Sequence, residues 1–138
     1  DSSDPRVLAS ALKWHTVHAA HDELDGAAKQ RLNAWAESLE RDSETAFQLS
    51  AAADWFRTAG QSERGLRLAK LAIRRDGRFW PAHESAALAA MQLRQYDSAV
   101  DELHSALRLL GHTAEHIKTR LQSELGEAQR HLDAALNE

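Results

Sequence analysis

The sequence contains no cysteine, two prolines, six glycines, one tyrosine and one methionine in 138 residues. Without thiols there is no disulfide scaffold, no cysteine zinc site, no iron–sulfur cluster and no thiol nucleophile. The same absence is silent on compartment, because a thiol-free chain suits oxidising and reducing surroundings alike. No apolar run approaches the ~20 residues that a helix needs to cross a bilayer. A secretory leader is missing too, and a sequence opening on Asp1 is expected to be a mature or excised piece of a longer protein. Positive charge is not in excess: 17 Lys+Arg face 21 Asp+Glu, a formal net charge of −4 that argues against a general nucleic-acid binder. There is no Gly-rich phosphate loop, no G-x-S-x-G and no H-E-x-x-H. The carboxylates are scattered, so none pairs off as acid and base. The expectation is a protein that is not an enzyme and carries no cofactor.

Strand patterns are also scarce, since β-branched residues are few and no stretch alternates polar with apolar. Good helix formers dominate instead: alanine, leucine, arginine, glutamate and glutamine. The length fits one domain of about 100–150 residues, enough to bury a core without staples. Punctuation divides the chain into about seven helices. The first is expected over Pro5–His21, with Asp4 as N-cap and with Leu8, Ala11, Leu12 and Ala19 at helical spacing. A second covers Leu24–Glu40 with Leu32, Trp35, Ala36 and Leu39 on one side. A third spans Glu44–Ala59 and stops at Gly60. Ser62 caps a fourth that ends near Asp76-Gly77. Trp80-Pro81 opens a fifth reaching Leu93, and a sixth runs from Asp97 to Leu110 before Gly111. Thr113 caps a long last helix reaching Leu136, whose stripe is Ala114, Ile117, Leu121, Leu125, Ala128, Leu132 and Ala135.

Self-comparison gives the strongest signal. Laying Ala46–Phe79 over Trp80–Thr113, an offset of 34 residues, aligns Ala52-Ala53 with Ala86-Ala87, Gly65 with Ala99, Ala69 with Leu103, Ala72 with Ala106, Ile73 with Leu107 and Gly77 with Gly111. Each copy is a helix, a short turn and a second helix. This pattern resembles the tetratricopeptide repeat. The small residues match (Ala53, Gly65, Ala72; Ala87, Ala99, Ala106), Phe56 supplies an aromatic on the first helix, and Tyr96-Asp97-Ser98-Ala99 looks like the entry into a second helix. Where the family places a bulky residue near the start of the first helix, the two units have Leu49 and His83. The resemblance covers half the chain, residues 46–113. Residues 1–45 form an N-terminal helical pair, a candidate degenerate repeat, and 114–138 a capping helix. It implies one all-α domain, an antiparallel helix-turn-helix array wound into a right-handed superhelix.

The resemblance also implies a groove lined by the first helices of successive units, here Phe47, Ser50, Asp54 and Arg57, then Glu84, Leu88, Met91 and Gln92. Ser50 and Asp54 stand where a clamp for a C-terminal carboxylate would need Lys and Asn, which disfavours a chaperone-tail clamp. Charge is polarised: residues 57–78 carry seven bases against two acids, whereas 1–45 and 79–138 each carry nine acids against five bases. Arg64, Arg67, Lys70, Arg74, Arg75 and Arg78 project within about 140° on the fourth helix. They form either a solvated face or a docking surface for something acidic.

Among the eight histidines, His15, His18 and Asp22 fall on one helical face, a set able to hold a transition metal but with no second cluster tied to it. His112 and His116 pair at i,i+4. Trp14, Trp35, Trp55 and Trp80 lie on or beside apolar stripes, suiting core or helix-joint packing over a surface hot spot. The expected function is a non-catalytic interaction module, an adaptor or scaffold. It binds a peptide or helix of another protein, with an acidic partner on the basic stripe, self-association as a further contact, and membrane contact only indirect. The alternatives are a helical domain that oligomerises or positions a larger enzyme or membrane assembly, and a histidine-based metal protein. The Ala/Arg-rich composition points to a bacterial source.

Overall fold

A computed structural model describes residues 4–18, 21–111 and 114–138. Seven α-helices are described: α1 (Pro5–His18), α2 (Gly26–Asp42), α3 (Ala46–Thr58), α4 (Ser62–Arg75), α5 (Trp80–Gln92), α6 (Tyr96–Leu110) and α7 (Glu115–Leu136). A 3₁₀ turn, His21–Glu23, lies between α1 and α2. Consecutive helices pack as antiparallel hairpins, and α3 also packs on α1 and α5. The architecture is the all-α array expected from the sequence.

Local chemistry explains most boundaries. Asp4 accepts the Arg6 N–H at 2.9 Å, so it caps α1 as expected. Asp25 accepts from the Ala28 N–H at 2.7 Å at the start of α2. Thr45 caps α3 by accepting from the Gln48 N–H, and the buried Gln48 amide reaches back to the Glu44 N–H at 2.7 Å, a variant of the capping box. Two turns repeat each other across the 34-residue register. Gly60 (φ 88) and Arg94 (φ 62) both adopt the left-handed conformation after a first helix. The next amide then bonds back to the helix, Gln61 N–H to Phe56 O and Gln95 N–H to Ala90 O, both at 2.8 Å, which is the Schellman pattern.

Several expected boundaries move. Helix α1 is described over Pro5–His18 and does not extend to His21, which with Asp22 belongs to a separate 3₁₀ turn. Gln61, not Ser62, takes the N-cap of α4 and makes no side-chain cap bond. Ser62 lies inside the first turn, and its hydroxyl bonds Gln92 across the hairpin. The stripe residue Ala19, the expected cap Thr113 and His112 lie outside the described residues; Ala114 holds the N-cap position of α7 with φ 61.

The core falls into two clusters. One is built on α1–α4 around Leu12, Leu32, Trp55, Phe56 and Leu68 and takes in Ala82, Ala86 and Ala89 of α5; the other joins α5, α6 and α7 through Ala87, Leu103 and Leu121. Small residues set the spacing of the hairpins. A Cβ on Gly65 would meet the Ala53 carbonyl oxygen at 2.8 Å and the Arg57 nitrogen at 3.2 Å, so only glycine lets α4 lie this close to α3. His83, in the place of a bulky apolar residue, is buried. It links α5 to α6 through Glu102 (2.9 Å) and to the preceding loop through the Gly77 carbonyl (2.8 Å). The tryptophans divide: Trp55 is core and donates to Asn33, Trp35 and Trp80 are half-buried, and Trp14 is exposed, with His18 stacked on its ring.

Candidate functional site

The first helices of the hairpins, α1, α3 and α5, together with α7, share one face of the array. Two cavities open on it. The first, about 360 Å³, lies where α3, α5 and α7 begin and is walled by Phe47, Ala51, Phe79, Trp80, Pro81 and Ile117, with Ser50, Lys13 and Arg120 completing it. Phe47 and Phe79 meet edge to face at 6.5 Å, and the Arg120 guanidinium lies 6.0 Å from the Trp80 ring centroid. The second, about 390 Å³, lies toward the C-terminal ends of the same helices, between Arg57, Leu88, Met91, Gln92, Arg94, Tyr96, Glu127 and His131. Tyr96 and His131 stack there at 4.9 Å.

Charged residues occupy the stretch between them. Asp54 is largely buried and faces Arg57 at 3.6 Å. Burial pushes its carboxyl above the ordinary range, opposed by the cationic Arg57 and Lys13. Glu84 accepts two bonds from Arg120, at 3.0 and 2.8 Å. Glu124 lies beside Glu84 and is pushed up to about 8, first by burial and then by that neighbour. A proton retained on Glu124 relieves the repulsion between the two carboxylates. Three buried side-chain atoms lack a hydrogen-bond partner among the described residues: Ser50 Oγ, Arg57 Nε and Glu124 Oε1. All three belong to this face. A protonated Glu124 has a hydrogen-bond partner in the neighbouring Glu84 carboxylate.

The groove positions named from the sequence are thus distributed along one surface. Phe47 and Ser50 line the first cavity, Arg57, Leu88, Met91 and Gln92 the second, and Asp54 and Glu84 the charged stretch between. The sequence reading omitted Lys13, Phe79, Trp80 and the inward residues of α7, Ile117, Arg120 and Glu124. Their signal was the i, i+3, i+7 spacing on α7, which the capping role had absorbed.

Five bases of the expected stripe lie on α4, but Arg78 does not, because the helix ends at Arg75; the stripe is also partly consumed within the chain. Arg64 and Arg67 both bond Glu40 of α2, the closest Arg67 contact being 2.9 Å, and Arg64 also covers the Phe56 ring at 3.8 Å. These bonds hold the Glu40 carboxyl below its ordinary range, Arg64 being the main cause. Arg75 donates to the Glu44 carbonyl. Lys70, Arg74 and Arg78 remain exposed. A further cavity, about 580 Å³, lies beside this stripe at the α3–α4 turn, and its walls are mostly polar.

The helical face expected to gather His15, His18 and Asp22 does not form, because the helix ends before Asp22. His18 Nδ1 bonds the Trp14 carbonyl at 2.8 Å, and His15 packs toward Trp35. Among the described residues no group of three His, Asp or Glu is placed to hold a metal ion. No described helix is long and apolar enough to cross a membrane.

Hairpins stacked in a 34-residue register, with first helices lining a shared groove, define a helical-repeat domain of the tetratricopeptide fold. Among solved structures the chain is similar to the second TPR domain of the human RPAP3 protein, determined in complex with the HSP70 peptide SGPTIEEVD. The match has a TM-score of 0.62 at 18% sequence identity and covers 91% of this chain and 98% of that one. No family model matches the chain, and no curated protein matches it in sequence.

Proposed function

We propose that the chain is a non-catalytic interaction module that holds an extended peptide of a partner protein along the face of α1, α3, α5 and α7. In this reading α1–α2 acts as a first hairpin that lengthens the groove beyond the two matched units. The observation that carries it is the pair of cavities that open on one surface, with Phe47 and Trp80 in the walls of one and Leu88 and Met91 in the walls of the other. An extended peptide can set side chains into both along one line. The fold neighbour supports the reading, since it was solved with a peptide. The exposed Lys70 and Arg74 on α4, with Arg78 in the loop that follows, favour an acidic second contact away from that face.

Selection from a displayed random peptide library against the folded chain tests the proposal. Saturable binders are expected, weakened about tenfold or more by Leu88→Glu or Met91→Glu and little changed by Arg74→Glu. A folded protein that selects no peptide, or one whose binders respond only to Arg74→Glu, contradicts it.

A second reading, positioning or self-association within a larger assembly, is favoured by the outer face of α1. There Val7, Trp14 and Val17 are 54%, 57% and 66% exposed. A concentration-dependent dimer in light scattering that Trp14→Glu abolishes supports that reading; a monomer at all concentrations contradicts it.

A further inference from the structure

The groove's two cavities differ in chemistry, and the one where α3, α5 and α7 begin is the more selective. Its walls are mostly Phe47, Phe79, Trp80, Pro81 and Ile117, so it rewards an apolar insert. At about 360 Å³ it sits near the lower end of the roughly 300–1,000 Å³ range of ligand pockets, enough for one large side chain. Ser50 Oγ lies in this lining, buried and without a hydrogen-bond partner. The two cations at the pocket are not equivalent. Arg120 is already held by both carboxylate oxygens of Glu84. Lys13 is exposed and makes no ion pair among the described residues. The N-terminal ends of three helices converge here, adding positive potential to that of Lys13.

We infer that this cavity is an anchor pocket for one large apolar side chain on an internal segment of a partner protein, with an Asp or Glu adjacent in sequence that reaches Lys13. The apolar side chain fills the space between the aromatic walls. A single free ammonium at an open rim suits a side-chain carboxylate. A chain terminus needs several converging donors, and Arg120 is not free to be one of them. The inference rests on the groove reading above and narrows it to a ligand chemistry.

The test displays random dodecapeptides on phage in two formats, internal (flanked on both sides) and with a free C-terminus, against the full chain. Selected sequences are then synthesised, with acetylated and amidated ends for the internal ones, and binding is followed by fluorescence anisotropy. The expected result is an internal consensus pairing Leu, Ile, Met or Phe with an adjacent Asp or Glu. Replacing that acid by its amide, or the apolar residue by Ala, is expected to lower affinity about tenfold or more, as is Lys13→Glu in the protein. Lys13 is exposed, so that variant keeps the fold, checked by circular dichroism. The anchor is overturned, with the groove reading intact, if binders ignore Lys13→Glu but respond to Met91→Glu. It is equally overturned if only free-ended peptides bind. SGPTIEEVD serves as the probe for that outcome, compared as the free acid and the C-terminal amide. If neither format yields a binder to folded protein, the groove reading itself falls.

Discussion

Glu124 and Glu40 hold opposite ends of the pH dependence. Glu124 titrates at about 8 in the folded chain against an ordinary value of 4.5, so the native state binds the extra proton between those values. Stability therefore falls as pH rises through that window, and Glu124→Gln, which keeps the protonated form's shape, removes the slope. The variant is expected to gain on the order of 1–2 kcal/mol at pH 8, the full shift being diminished by solvent around a partly exposed pair. Urea denaturation at pH 5 and pH 8 reads the difference; parallel profiles for both proteins contradict the assignment. Glu40 works the other way. Its lowered value stabilises the fold above the ordinary carboxylate range and is lost as pH falls below it. His83 is the other single residue with a large structural share, because it fills a buried site while joining Glu102 to the Gly77 carbonyl. His83→Ala leaves a cavity and an unpaired carbonyl, and should cost about 2–3 kcal/mol in the same denaturation experiment. A change near zero means that the link between α5, α6 and the loop is dispensable.

At the level of elements, the hairpin turns record the repeat more faithfully than the side chains do. Gly60 and Arg94 occupy matching positions with the same positive φ, yet only one is glycine. Arg94→Gly relieves the left-handed strain and is expected to raise stability by about 0.5–1 kcal/mol, seen as a higher Tm. A lower Tm means that contacts of the Arg94 side chain outweigh the strain. The α3–α4 crossing makes the opposite prediction, since Gly65→Ala forces a methyl group against backbone rather than a side chain that can yield. The loss should be about 1–3 kcal/mol or more, as for overpacked cores. The alignment of Gly65 with Ala99 in the sequence already marked this crossing. What the sequence hid was the work of α2. Glu40 looks like an ordinary surface acid there, and only the packing of α2 beside α4 brings it to Arg64 and Arg67. The cationic stripe read along one helix is therefore half committed to holding two helices together. The end of α1 was illegible for a related reason: helical spacing continues past His18 into Asp22, while the chain turns to reach the Asp25 cap.

For the whole molecule, periodicity in residues 46–113 and the punctuating glycines sufficed to recover an all-α array. They did not suffice for the site. Its walls also come from Lys13 on α1 and from Ile117, Arg120 and Glu124 on α7, and the 34-residue self-comparison ends at Thr113 before α7 begins. Asp54 gave no sign of burial either, since its acidity at a groove position reads as solvated until α1 and α5 close around it. The account stands on the claim that this concave face, and not the basic back, receives the partner. The most direct measurement is amide chemical-shift mapping of the ¹⁵N-labelled chain titrated with a peptide selected from the library. The account predicts saturating shifts clustered at Phe47, Ser50, Trp80, Leu88, Ile117 and Arg120, with Lys70, Arg74 and Arg78 unmoved. Shifts confined to α4, with the groove residues silent, would contradict it.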